Sequence, residues 1–407
     1  MRKPPIAPSG LVQTAASLSA VERGTPIGVA VLGSTGSVGT QALDVIASMP
    51  ERFSVVALAA SRVSPLLEAQ SRRFRPEIVA VSNEPEGWAG TGAIESGADA
   101  LALAALHPAA EIVIVATSGH AAMGPTFRAV DAGKTIALAN KETIVCAGEI
   151  LMPLALTRGA PIRPVDSEHS AVWQCLAGAP PAAVARLVLT ASGGPFRSLG
   201  ADELARVTVD QTLAHPTWAM GGKITVDSAS LMNKGLEVIE ARWLFDVRFD
   251  RIEVVVHPES IVHSLVEFVD GSMLAQLGLP DMRLPIQYAL TYPERLPSPC
   301  PRLSLVQTAA LHFEAPDLAR FPALALARQA GGAGGTYPTV LSAADEVAVE
   351  SFLASRLRFV DIPAVVADVL AAHEVVGPLS LESIAEADAW ARRSARNAVE
   401  RRSAPSC

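Results

Sequence analysis

The chain has 407 residues, half of them apolar and 5% aromatic, and a formal net charge of −8. That length exceeds one ordinary core and requires two or three domains. The charge is spread without the basic face of a nucleic-acid binder, and no apolar run is long and clean enough to span a bilayer.

Residues 1–26 are rich in Pro, Ala and Ser and lack periodicity, so a disordered tail is expected. Arg2, Lys3 and Arg23 against Glu22 leave an organelle transit peptide as the alternative. Strands are predicted at 27–32 and 53–59, flanking a helix over 40–49, and again at 78–81, 111–116 and 135–139, with helical stretches between. This alternation specifies an α/β, Rossmann-like domain with a parallel sheet over 27–165. Residues 166–292 read as an α+β catalytic domain: strands at 187–190, 252–256, 263–269 and 273–277, and one helix over 229–245. Val269-Asp270-Gly271-Ser272 signals a hairpin between the last two strands. Several prolines mark 293–319 as a linker. Helical periodicity fills 320–407 and is clearest over 341–353, with Gly331 to Gly335 expected as a flexible loop. The cysteines Cys146, Cys175, Cys300 and Cys407 are too dispersed for a zinc site and read as reduced thiols of a cytoplasmic protein.

Gly33-Ser34-Thr35-Gly36-Ser37-Val38-Gly39 lies between a predicted strand and a predicted helix. Glycines permit the tight turn and bring backbone N–H groups close to a pyrophosphate. The same string also serves as a structural turn of an α/β domain. Ser61 and Arg62 follow the second strand, where a cation suits the extra phosphate of NADP; the alternative is a solvated surface arginine. Lys141, after the last strand of this domain, would sit at the ligand-binding edge of an open sheet.

Asp166 and Glu168 are expected on one side of an extended segment, where two carboxylates can bind one cation. An oxygen-only set favours Mg²⁺ or Mn²⁺ over Zn²⁺. Asp227 or Ser228 is the expected N-cap of the 229–245 helix. Asn233, Lys234 and Glu237 then share its first turns, with donors for a phosphate and a carboxylate for a metal. Ser192, in a glycine turn after a strand, is a further phosphate donor. His215 and Trp218, beside paired glycines, suit a loop that covers a substrate. Each alone is also consistent with ordinary caps, core packing or solvated pairs.

Taken in order, GSTGSVG, LANKE, DSEHSA, TASGGPF, AHPTWAMGGKITVDSASLMNKGLEVIEA and HPESIVHSLVEFVDGSMLAQLGLPDMR resemble the 1-deoxy-D-xylulose 5-phosphate reductoisomerase family of the non-mevalonate isoprenoid pathway, over roughly residues 27–400. The resemblance implies an NADPH domain, a catalytic domain with a flap, a carboxy-terminal helical bundle, and a homodimer. It implies the metal ligands Asp166, Glu168 and Glu237, and substrate contacts from Lys141, Ser167, Glu168, Ser192, His215, Ser228, Asn233, Lys234 and Glu237, with Trp218 and Met220 on the flap. Cofactor contacts carry over to Thr35, Gly36, Ser37, Val38, Arg62, Asn140, Glu142 and Gly221, beside Gly33, Ser34 and Ser61 of the local motifs. The family often has Gly-Arg-Asn where this chain has Ser61-Arg62-Val63, and Asn-Ala-Ala-Asn-Glu where it has Ser342-Ala343-Ala344-Asp345-Glu346.

The implied reaction rearranges and reduces 1-deoxy-D-xylulose 5-phosphate to 2-C-methyl-D-erythritol 4-phosphate, with Lys141, Asp166, Glu168 and Glu237 as the catalytic set. The competing readings are another NADP-dependent sugar-phosphate or semialdehyde dehydrogenase, which needs no cation, and a nucleotide sensor, which needs no complete carboxylate set.

Overall fold

A computed structural model of the chain describes residues 24–214, 218, 220–375 and 377–403. Residues 1–23 of the expected tail over 1–26, Cys407 and His215 lie outside the described residues.

Seven strands form one parallel sheet: β1 Ile27–Leu32, β2 Phe53–Ala60, β3 Ile78–Val81, β4 Ala93–Ser96, β5 Ile112–Val115, β6 Thr135–Leu138 and β7 Ile162–Pro164. Their order is β4-β3-β2-β1-β5-β6-β7, so the chain leaves β1 towards one side and later returns to the other. A crevice opens at the carboxyl ends of β1 and β5, where such sheets bind ligands. β1 is buried along its whole length, as its unbroken apolar run requires in a sheet covered on both faces. The helices of this region are α1 Ser37–Ala47, α2 Pro65–Phe74, α3 Ala100–Ala105, α4 Met123–Asp131 and α5 Lys141–Arg158. Gly33 turns the chain out of β1 at φ +84°, and a Cβ there would lie 2.6 Å from the Ala116 carbonyl oxygen. Only glycine supplies both the left-handed turn and the clearance. β4 was not anticipated from sequence: it is mostly exposed, so it offers no period to read.

The second sheet has four strands, β8 Val184–Ala191, β9 Ile252–Val256, β10 Val262–Phe268 and β11 Met273–Leu277, in the order β11-β10-β8-β9. β8 and β9 are parallel and the other pairs antiparallel. The hairpin after β10 turns through Gly271 at φ +85°, where Ser272 N–H donates to Asp270 Oδ1 at 2.9 Å. Helices α6 Ser167–Leu176, α7 Gly222–Ser230, α8 Met232–Leu244 and α9 Arg283–Thr291 belong to this region. The carboxy-terminal part is helical: α10 Ala323–Ala333, α11 Tyr337–Leu353, α12 Ile362–Ala371 and α13 Leu381–Ser403. No described helix is long and apolar enough to cross a membrane.

Four local expectations are corrected. The stretch 229–245 is two helices, because Leu231 adopts φ +62° and breaks the backbone ladder. A left-handed leucine costs about 1–2 kcal/mol, and burial of its side chain offsets part of that. Asp227 and Ser228 therefore lie inside α7 rather than at an N-cap. Asp166 and Glu168 are not in an extended segment: Asp166 occupies the N-cap position of α6 and Glu168 its first turn. Gly331 and Gly332 lie within α10, not in a loop; a Cβ on Gly331 would press on Phe249 at 2.6 Å, so close helix packing explains that glycine. Residues 293–319 include a short helix Leu305–Thr308 and a bridge from Val256 to Glu314 that ties the segment to β9.

Candidate active site

β6 and β7 are neighbours, with Leu138 paired to Pro164. The helices that leave them, α5 and α6, therefore start side by side. Lys141 opens α5 and Asp166 precedes α6, and this places Lys141 Nζ 3.1 Å from Asp166 Oδ2. α8 crosses in front of them and brings Asn233, Lys234 and Glu237. Lys141 Nζ also donates to Asn233 Oδ1 and lies 3.5 Å from Glu237 Oε1. Lys234 Nζ donates to Glu237 and to Glu168 Oε1, the latter at 3.0 Å, and Asn233 Nδ2 donates to Glu237 Oε1 at 2.5 Å. Ser167 Oγ donates to Glu168. One oxygen from each of Asp166, Glu168 and Glu237 falls within 4.8 Å of the others.

Behind this trio sit two residues that sequence reasoning left aside. His169 is fully buried; its Nε2 donates to the Glu237 carbonyl at 2.9 Å, and its Nδ1 lies 3.5 Å from Glu240 Oε2 and 3.7 Å from Asp166 Oδ1. A histidine and a glutamate on separate helices give no local signal that they will meet. Four carboxylates (Asp166, Glu168, Glu237, Glu240) thus face three cationic groups (Lys141, Lys234, His169). The surplus of negative charge keeps two of these carboxyls from ionising readily. Burial pushes Glu237 up to about 7, and the Glu168 carboxylate adds to it. Burial also lifts Glu240 to about 8. Burial opposes ionisation of Asp166 as well, but Lys141 and His169 outweigh it and hold Asp166 well below its ordinary range. Burial likewise works against the charge on Lys141, and Asp166 and Glu237 overcome it, so the ammonium keeps its proton.

The trio forms one wall of a cavity of about 540 Å³. Ser192, just beyond β8, and Ser228 on α7 line it with their hydroxyl oxygens 3.4 Å apart. Gly194 allows this approach: a Cβ there would stand 2.7 Å from Ala229 Cα. Ser167, Trp218, Met220 and Gly221 line the cavity, and Ser37 and Val38 extend it to the start of α1. That helix begins at Gly36 without a side-chain cap, so its first N–H groups are available to an anion. The far wall adds Ser260, His263, Asp281 and Arg283, none of them predicted. Asp281 accepts from Arg283 Nη2 at 2.6 Å. Their signal was present in the HPESIVH and DMR strings, but only the fold brings them into one cavity with the trio.

Several expected residues do other work. The Ser34 hydroxyl donates to Gln70 Oε1 at 2.9 Å beneath the loop, and Gln70 returns a bond to the Ser34 carbonyl. Asn140 caps α5: its Oδ1 accepts from Thr143 N–H at 3.0 Å, while Nδ2 donates to the carbonyls of Thr117 and Gly119 and to Glu142 Oε2. Asn140 and Glu142 thereby tie together the loops after β5 and β6. Thr35 is part-exposed on the glycine turn, and Ser61 and Arg62 are exposed just after β2, outside the cavity.

Comparison with known proteins gives one answer along most of the chain. Family profiles described as 1-deoxy-D-xylulose 5-phosphate reductoisomerase, its C-terminal domain, and DXP reductoisomerase C-terminal domain match residues 29–148, 162–245 and 277–394 respectively. The 1-deoxy-D-xylulose 5-phosphate reductoisomerase of Thermomicrobium roseum is 54% identical over 378 residues, covering 92% of this chain and 98% of the relative. That of Pelotomaculum thermopropionicum is 54% identical over 380 residues, covering 89% and 96%. Among solved structures, the Zymomonas mobilis reductoisomerase in complex with NADPH superposes with a TM-score of 0.86 at 39% identity, over 92% of this chain and 99% of that one. A DOX-P reductoisomerase in complex with NADPH, fosmidomycin and magnesium gives 0.86 at 41%, over 92% and 98%.

Proposed function

Because the chain belongs to the 1-deoxy-D-xylulose 5-phosphate reductoisomerase family, we propose that it rearranges 1-deoxy-D-xylulose 5-phosphate and reduces the product with NADPH to 2-C-methyl-D-erythritol 4-phosphate, using a divalent cation. The observation that carries this reading is the meeting of Asp166, Glu168, Glu237, Lys141 and Lys234 in one cavity that reaches the start of α1. The all-oxygen donor set fits Mg²⁺ or Mn²⁺. Asp166, Glu168 and Glu237 would hold the cation, which when bound supplies Lewis-acid stabilisation of negative charge on substrate oxygens. The glycine turn, with Ser61 and Arg62, would hold NADPH, which when bound would supply hydride.

The rest is done by the chain's own side chains. Ser192, Ser228, Asn233 and Lys234 present donors for the phosphate, with His215 as a further contact. Binding energy from that remote group holds the reacting carbons in place. Trp218, Met220 and Gly221 shield the cavity from water. Lys141 keeps its proton on Nζ, 3.1 Å from Asp166, where it can hydrogen-bond to a substrate oxygen and donate that proton to it. His169 and Glu240 fix the orientation of Asp166 from behind.

The test is loss of NADPH absorbance with substrate and Mg²⁺, repeated with chelator. Oxidation that requires both is expected. Oxidation indifferent to chelator would favour a metal-independent dehydrogenase, and none at all from folded, metal-loaded protein would defeat the enzyme reading.

The same reading includes a homodimer built on the second sheet. β11 is its edge strand, and Met273 and Leu274 on it are 45% and 52% exposed. A long apolar edge left open is an aggregation hazard that pairing removes. Sedimentation should give twice the chain mass, and Leu274→Lys should shift the population towards monomer; a monomeric wild-type chain at micromolar concentration would refute it.

A further inference from the structure

α7 carries Gly221, Ile224 and Ser228 to the cavity on one side. On its other side it packs on α11, which in turn packs on α5. At that contact Lys223 Nζ lies 2.5 Å from Asp227 Oδ2 and 3.0 Å from Asp345 Oδ2. The Asp227 and Asp345 side chains are 2% and 0% exposed, whereas Lys223 is 32% exposed. Glu142 at the start of α5 also faces Lys223. Three carboxylates therefore share one ammonium, two of them away from water.

Among the described residues, Asp227 Oδ1 and both carboxylate oxygens of Asp345 have no hydrogen-bond donor, since the ammonium stands near Asp345 but off the line of a bond. Buried oxygens without donors are unfavourable, and two adjacent buried anions against one cation are more so. A single proton between the carboxyls removes one negative charge and gives an acceptor its donor. The acid–carboxylate hydrogen bond that results is of the short, strong kind.

We propose that Asp345 is a positioning residue for the reaction: it shares one proton with Asp227, and the pair, with Lys223, clamps α7 to the carboxy-terminal bundle and so places Ser228, the next residue after Asp227, against the substrate phosphate. Burial and the Asp345 carboxyl both push Asp227 well above the ordinary aspartate range, in keeping with a retained proton. The sign follows from linkage. A carboxyl with a raised pKa in the fold holds its proton more tightly than in the unfolded chain, so its contribution is complete in acid and is lost as pH rises through the folded value. The clamp should loosen as pH rises from the ordinary aspartate range to the raised value of Asp227.

The role of Ser228 rests on the reductoisomerase reading; the shared proton does not. Two measurements keep them apart: kcat/KM against pH, and Tm against pH without substrate, for wild type, Asp345→Asn and Asp345→Leu. An amide donates to Asp227 without titrating. Asp345→Asn should therefore keep neutral kcat/KM within about twofold and lose the pair's share of the fall in kcat/KM and Tm with rising pH. Asp345→Leu should lose about tenfold in kcat/KM at every pH. If Asp345→Asn keeps the whole wild-type fall in Tm with rising pH, no proton is shared. If Asp345→Leu turns over like wild type, the residue positions nothing. A wild type that does not consume substrate would defeat the reductoisomerase reading alone, and the Tm comparison would still decide the proton.

Discussion

Glu237→Gln should lower kcat by at least about a hundredfold and abolish saturable Mg²⁺ binding at neutral pH. Glutamine keeps the volume of a side chain that is 2% exposed but removes the anion that touches both lysines. The wild-type site should show a matching pH signature. With Glu237 pushed up to about 7 by burial and the neighbouring Glu168, the metal-free chain carries a proton there in mild acid. A cation must displace it, so Mg²⁺ affinity should climb with pH up to about 7 and level off above. For the metal-free fold the sign is opposite. A raised carboxyl binds its proton more tightly folded than unfolded, so Glu237's contribution to stability falls as pH rises from 4.5 to about 7. Calorimetric Mg²⁺ titrations across that range check both points, and a Gln variant that binds Mg²⁺ and turns over as wild type does would remove Glu237 from the site.

Lys141→Met is expected to separate cation binding from turnover. Without a cation, Lys141 is one of three positive groups facing four carboxylates. Its loss should destabilise the metal-free fold by about 3–5 kcal/mol, the usual cost of removing one partner of a buried pair. A divalent cation replaces the missing charge, so Mg²⁺ should raise Tm more in the variant than in wild type, and its apparent affinity should increase. Turnover should nevertheless fall by about 10²–10⁴-fold, because the proton on Nζ is gone. The decisive comparison is Mg²⁺ affinity in the two variants: weaker for Glu237→Gln, tighter for Lys141→Met. Weaker binding in both would mean that Lys141 holds the carboxylates in place rather than competing with the cation.

The motifs were legible because each sits in a short window with a fixed local geometry. Gly33 to Gly39 announced a strand, a tight turn and a helix, and that is how β1 and α1 join. Asn233, Lys234 and Glu237 were read onto one side of a helix, and α8 holds them there. The errors arose where one residue overrode the pattern. Apolar and helix-forming residues run through 229–245, but tertiary packing drives Leu231 into the left-handed region and splits the helix. Asp166-Ser167-Glu168 has the spacing of a strand face, but the end of β7 leaves Asp166 to open α6.

Residue order by itself determined the α/β layering, the glycine turn and which carboxylates, lysines and hydroxyls form the candidate set, because strand alternation, helical spacing and turn chemistry act over a few residues. The tertiary structure alone decided that Lys141 meets Asp166 through the pairing of β6 with β7, that His169 and Glu240 stand behind them, that Asp281 and Arg283 line the same cavity, and that Asp345 reaches Asp227. Those contacts join residues tens to more than a hundred positions apart. Burying the sheets and helices against one another fixes such distances, and no local periodicity encodes them.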